Sequence, residues 1–117
     1  MLISQIIHMF DGHRFDLHDE KNTQVHIGEM LSKTGLIVIP EYRLDDKNVV
    51  DFFIKTIAIE VKIKTQYSKK AIYRQCERYL KFESVSSLIL ITGQSLGFPK
   101  EINGKHCFVI NLSKAWL

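Results

Sequence analysis

The chain has 117 residues, of which 45% are hydrophobic and 25% charged, and its formal net charge of +3 goes with a pI near 8.9. That composition describes one globular domain with a single modest core and no apolar run approaching the ~18 residues of a membrane-spanning helix. Cys76 and Cys107 have no ligand-like spacing and no companions, and read most simply as two reduced, buried thiols of a cytoplasmic protein.

The first ten residues, MLISQIIHMF, carry neither a basic leader nor a small-residue cleavage site, so no secretory signal is expected. Leu2, Ile3, Ile6, Ile7, Met9 and Phe10 predict a short helix ending near Gly12, with a hairpin across Asp11-Gly12 as the alternative. His8, His13, His18 and His26 do not form a metal-ligand set and read as surface or capping residues.

A second helix is expected to start near Asp19 and to end at Gly35, a C′ glycine after Lys33. Its apolar stripe is Ile27, Met30 and Leu31. Projected at 100° per residue, Glu20 falls within about 20° of Ile27 and Leu31, with Gln24 close by and Glu29 on the opposite side. Glu20 therefore points inward, although a glutamate in the first turn also has a purely local explanation in the helix dipole.

Residues 36–44, LIVIPEYRL, read as a first strand, where Pro40 implies a bulge or an edge. Glu41 and Arg43 share a face and read as a cross-strand ion pair, with a place bordering a site as the alternative. Asp45 to Asn48 form a polar turn.

The next stretch, Val49 to Lys64, organises the rest. Ile57, Ile59, Val61 and Ile63 alternate with Ala58, Glu60, Lys62 and Lys64, so the first set makes a core face and the second sets Glu60 beside Lys62. Val49, Asp51 and Phe53 share a face of the preceding run. A hairpin closed at Lys55-Thr56 places Ile54 opposite Ile57 and Asp51 opposite Glu60. Lys-Thr is poor chemistry for a two-residue turn, which leaves a register shift or a bulge open. Like charges facing each other across two strands are destabilising. A hard divalent cation would remove the conflict, since Mg²⁺ is typically held by one or two carboxylates with waters and substrate phosphate. The alternative is the solvated face of an edge hairpin.

Thr65 to Ser68 is a polar loop with Ser68 as N-cap. The following helix, KKAIYRQCERYLKF, buries Ile72, Cys76, Tyr79 and Leu80 and turns Arg74, Glu77, Arg78 and Lys81 outward. Gln75 and Tyr79, four apart, lie on one face. Lys69, Lys70, Arg74 and Arg78 are suited to contact phosphates, contacts that position a nucleic acid without reading its sequence. Residues 87–92, SLILIT, fit a buried strand parallel to the Glu60 strand, since a helix separates the two. Residues 93–97 form a loop, Phe98-Pro99 a further break and residues 105–112 a last strand, after which Trp116 is expected to pack.

Asp51 followed by Glu60-Val61-Lys62 resembles the D…(D/E)-x-K signature of the PD-(D/E)XK nuclease superfamily, with Val50 where that family has proline. The resemblance covers roughly residues 18 to 92. Gln75 and Tyr79 resemble the QxxxY motif of its RecB-type members, a group related to Holliday-junction resolvases. The resemblance implies an α/β fold with a restriction-endonuclease-like core, a mixed central sheet built from an antiparallel meander and a parallel crossover strand, flanked by helices. It makes residues 1–117 one domain, with 1–18 as an N-terminal extension and 19–112 as the core.

It also implies a Mg²⁺-dependent deoxyribonuclease, Mn²⁺ substituting, that acts on DNA in repair, recombination or phage- or restriction-type processing. Asp51, Glu60, the Val61 backbone carbonyl and Glu20 would hold the metal, Glu20 directly or through water, with Glu29 as runner-up for the helix carboxylate. Lys62 would orient or help deprotonate the attacking water, and Gln75, Tyr79, Arg74 and Arg78 would meet the substrate. Small members of such families often act as homodimers, though no interface signature is legible here. The alternatives are a catalytically inactive or partner-dependent nucleic-acid-binding module on the same fold, or an unrelated interaction protein with an acidic surface hairpin.

Overall fold

The computed structural model describes residues 2–64 and 67–114. The elements are α1 (Leu2–His8), α2 (Glu20–Ser32), β1 (Ile39–Arg43), β2 (Val49–Ile54), β3 (Ile57–Lys62), α3 (Lys69–Tyr79), β4 (Ser87–Thr92), β5 (Glu101–Ile102) and β6 (Lys105–Asn111). Six strands form one mixed sheet in the order β1-β2-β3-β4-β6-β5. The pairs β1–β2, β2–β3 and β5–β6 are antiparallel, and β3–β4 and β4–β6 are parallel. The fold is thus α/β with an antiparallel meander leading into parallel strands. No helix among the described residues is long and apolar enough to cross a membrane.

Strand period divides the core. Ile57, Ile59, Val61 and Ile63 face α1 and α2 together with Phe52, Ile54, Ile89 and Ile91. Ala58, Leu88 and Leu90 face α3 with Ile72, Cys76, Tyr79 and Leu80. Both faces of β3 and β4 are covered, which is why SLILIT reads as a continuous apolar run rather than an alternating one. The N-terminal helix is real: Ile6 and Phe10 are buried in the same cluster as Ile27 and Leu31. Packing of α2 on the sheet depends on Gly28, where an added Cβ would lie 3.2 Å from the Phe52 ring.

Local chemistry explains most boundaries. The Asp19 side chain accepts from the Asn22 amide at 3.1 Å and caps α2. The helix closes at Lys33, so Gly35, with φ of +80°, lies two residues past that cap rather than one. Ser68 caps α3 through the Ala71 amide at 3.0 Å. Pro40 sits on the edge strand β1, as its missing N–H requires.

Three expectations are corrected. Glu41 is exposed with φ of +47°, and Arg43 donates to the Asp46 carbonyl at 3.2 Å; no Glu41–Arg43 ion pair forms among the described residues. The break at Phe98-Pro99 is followed by an unforeseen strand, β5, joined to β6 by Asn103-Gly104, whose φ values of +56° and +74° suit a two-residue hairpin turn. The alternation of β2 also fails at Asp51: Val50 joins Phe53 on the α3 side, and the β1–β2 ladder skips Glu41 and Asp51. Trp116 and the Thr65-Gln66 part of the loop before α3 lie outside the described residues.

Candidate functional site at the open end of the β2–β3 hairpin

The hairpin register is the expected one, with Ile54 opposite Ile57, Phe53 opposite Ala58 and Phe52 opposite Ile59. Lys55 takes φ of +57° to close the turn despite its poor chemistry. One step further the count sets Asp51 against Glu60, and there side chains replace the backbone ladder. Asp51 Oδ2 accepts the Val61 amide at 2.7 Å, and Glu60 Oε1 accepts the Asp51 amide at 3.1 Å. The strands part at this point, and each carboxylate takes the place of a ladder carbonyl.

Glu60 is 4% exposed, and its Oε2 lies 3.4 Å from Lys62 Nζ. Burial, then the neighbouring Asp51 charge, push its carboxyl up to about 8. Asp51 is also raised, chiefly by burial and further by Glu20, against the lowering effect of the Val61 amide and Lys62. The two acids thus behave as one coupled pair that holds a proton near neutrality.

Glu20 approaches from α2, as the projection predicts. Its Oε1 accepts the Ile63 amide at 2.7 Å and the Lys64 amide at 3.3 Å, and its Oε2 accepts the Tyr67 hydroxyl at 3.0 Å. It is fastened to the end of β3 from the other side of the sheet. Glu29 is exposed and lines a separate depression with His13, His26 and Met30, so it takes no part in this cluster.

From α3, Gln75 Nε2 donates to the Tyr79 hydroxyl at 2.8 Å. That hydroxyl donates to the Val49 carbonyl at 3.1 Å and lies 3.5 Å from Glu60 Oε2. The two residues singled out by their spacing are wired to the acidic pair. Arg78 lines a cleft of about 220 Å³ with Lys62, Tyr67 and Gln75, whereas Arg74 lies exposed outside it. A second cleft, of about 230 Å³, is lined by His18, Glu20, Lys21, Gln24 and Lys64.

The donor set suits a hard cation in part. Two carboxylates beside a backbone carbonyl match the protein share of a typical Mg²⁺ site, and a cation would displace the proton the pair now holds. Asp51 spends one oxygen on an amide, whereas Glu60 and Glu20 have both engaged, Glu60 by the Asp51 amide on one side and by Lys62 and the Tyr79 hydroxyl on the other. No group of three or more His, Cys, Asp or Glu among the described residues is placed to hold a metal ion.

Sequence reasoning missed Tyr67. It belongs to the loop after β3, where no period fixes orientation, and its only signal was a place directly before the Ser68 cap. No protein-family model, curated protein or solved structure matches the chain.

Proposed function

We propose that the chain is a metal-dependent nuclease that hydrolyses DNA phosphodiester bonds on a restriction-endonuclease-like core. The observation that carries this reading is the Asp51–Glu60 pair, half-buried at Asp51 and buried at Glu60, with the Lys62 ammonium 3.4 Å from Glu60. A protein with no use for the pair has little reason to keep it, because like charges withdrawn from water raise each other's proton affinity and cost folding stability.

Asp51, Glu60 and the Val61 carbonyl are the groups that would hold Mg²⁺ or Mn²⁺, with Glu20 joining directly or through water. When bound, the cation lowers the pKa of its water and neutralises phosphate charge. Lys62 holds a water or a phosphate oxygen beside the pair and steadies the negative charge that develops on the phosphoryl oxygens. Gln75 and Tyr79 fix Glu60 from behind, and Arg78, beside the cleft, draws the nucleic-acid backbone in.

The test is a plasmid and oligonucleotide cleavage assay with Mg²⁺, Mn²⁺ or EDTA. Wild type is expected to cut only with metal. Lys62→Ala and Asp51→Asn are expected to lower cutting by roughly 10²-fold or more, several kcal/mol of transition-state stabilisation, while Asp51→Asn still binds DNA. Binding without cutting by wild type would point instead to an inactive or partner-dependent nucleic-acid module. Absence of both would sink the reading.

A further inference from the structure

Tyr67 is half-buried between α2 and α3 at a point where nothing in the strand pattern demands an aromatic residue. Its hydroxyl donates to Glu20 Oε2 at 3.0 Å, and the Lys62 ammonium lies over its ring, 4.7 Å from the centroid. Its amide donates to the Lys64 carbonyl at 3.4 Å, which keeps Tyr67 close to the end of β3. Lys62 is otherwise a long, flexible side chain at the mouth of a cleft, held by one 3.4 Å ion pair with Glu60. A lysine of this kind spends much of its time away from any one acceptor, because holding it costs rotamer entropy.

We propose that Tyr67 is a positioning residue: its ring holds the Lys62 ammonium beside the Asp51–Glu60 pair, and its hydroxyl, bonded to Glu20, holds the ring. A cation over an aromatic face is attracted by the ring quadrupole, more strongly where water is partly excluded. One side chain thereby ties the α2 carboxylate to the β3 lysine across the strand end. The catalytic consequence rests on the nuclease reading; the placement of Lys62 does not.

Two measurements separate the two. The first is the NMR shift of the Lys62 ε-methylene, which the ring current moves upfield when the ammonium lies over Tyr67. The second is kcat and KM for metal-dependent cleavage in wild type, Tyr67→Phe and Tyr67→Leu. The upfield shift is expected in full in wild type, reduced but present in Tyr67→Phe, whose ring Glu20 no longer holds, and absent in Tyr67→Leu. Because the cation–ring attraction is of the order of the free energy in one decade of rate, kcat should fall roughly tenfold in Tyr67→Leu and only about threefold in Tyr67→Phe, with KM little changed. An unshifted Lys62 methylene in wild type, full kcat in Tyr67→Leu, or a Phe variant as impaired as the Leu variant would overturn the proposal. If Tyr67→Leu does not fold, the comparison of wild type with Tyr67→Phe decides it: a shift kept in both supports the ring, and one lost in Tyr67→Phe overturns it. If wild type cuts nothing, the nuclease reading fails, and the shift still decides where Lys62 is held.

Discussion

A buried acid that holds its proton to about pH 8 leaves a mark on stability. Glu60 titrates near 4.5 when unfolded and is pushed up to about 8 when folded, by burial first and the Asp51 charge second. Between those values the folded chain binds more protons than the unfolded one, so stability falls as pH rises through the window. The loss is absent below about 4.5 and complete above about 8. Glu60→Gln removes the buried charge and can still accept the Asp51 amide. In metal-free buffer the variant and wild type should therefore melt together near pH 4.5, and the variant should melt higher at pH 8. The full shift corresponds to several kcal/mol, so the difference should exceed roughly 10 °C in a domain of this size. Equal midpoints at pH 8 would mean that Lys62 already neutralises the burial cost. Added Mg²⁺ should raise the wild-type midpoint at pH 8, by about 2.7 kcal/mol of stability at a hundredfold excess over its Kd, and leave Glu60→Gln nearly unmoved.

At the scale of elements, α3 brings Gln75 and Tyr79 to the pair, and its start is set by one hydroxyl. Ser68→Ala removes the bond to the Ala71 amide and should cost about 1 kcal/mol, seen as a midpoint lower by about 4–8 °C. Ser68→Asp should stay at or above wild type, because an anion at the helix N-terminus suits the dipole and sits beside Lys69 and Lys70. A Ser68→Ala variant melting with wild type would show that tertiary packing alone fixes the helix start. The Ser68 cap, the start of α2 near Asp19, the β2–β3 register and the inward turn of Glu20 were legible because each follows from short-range rules: capping chemistry, period two and period 3.6. What escaped depends on longer range. Strand β5 has two residues, too few for a period, although the Asn103-Gly104 pair after it was a readable turn. The break in alternation at Asp51 arises because carboxylates there supply the hydrogen bonds that ladder carbonyls would otherwise make. The strand order, with β6 between β4 and β5, is a property of the whole sheet that no single segment encodes.

For the whole molecule, the net charge of +3 is small, so any attraction for a polyanion must come from where the cations sit. Lys69, Lys70, Arg74 and Arg78 are carried by α3, and Lys21 and Lys64 line the cleft beside Glu20. Gln75 and Tyr79 tie α3 to the acidic pair, and Glu20, in the second cleft, is fastened to the end of β3, the strand that carries Glu60. Lys55 is exposed at the closed end of the hairpin, roughly 20 Å from Lys62 at about 3.3 Å per strand residue. Removing one cation that neutralises a phosphate should reduce the slope of log K against log salt by about 0.9 for duplex DNA and about 0.7 for a single strand. Arg74→Ala with Arg78→Ala should therefore flatten that slope by about 1.8 for duplex and about 1.4 for a single strand and weaken binding evenly across sequences, whereas Lys55→Ala should change neither. Fluorescence anisotropy of labelled duplex and single-stranded oligonucleotides over a salt series gives both slopes. A flattening confined to Lys21→Ala with Lys64→Ala would put the backbone on the α2 side alone. Equal effects from the two pairs would fit a strand laid across the open end of the hairpin, with its scissile phosphate above Asp51, Glu60 and Lys62.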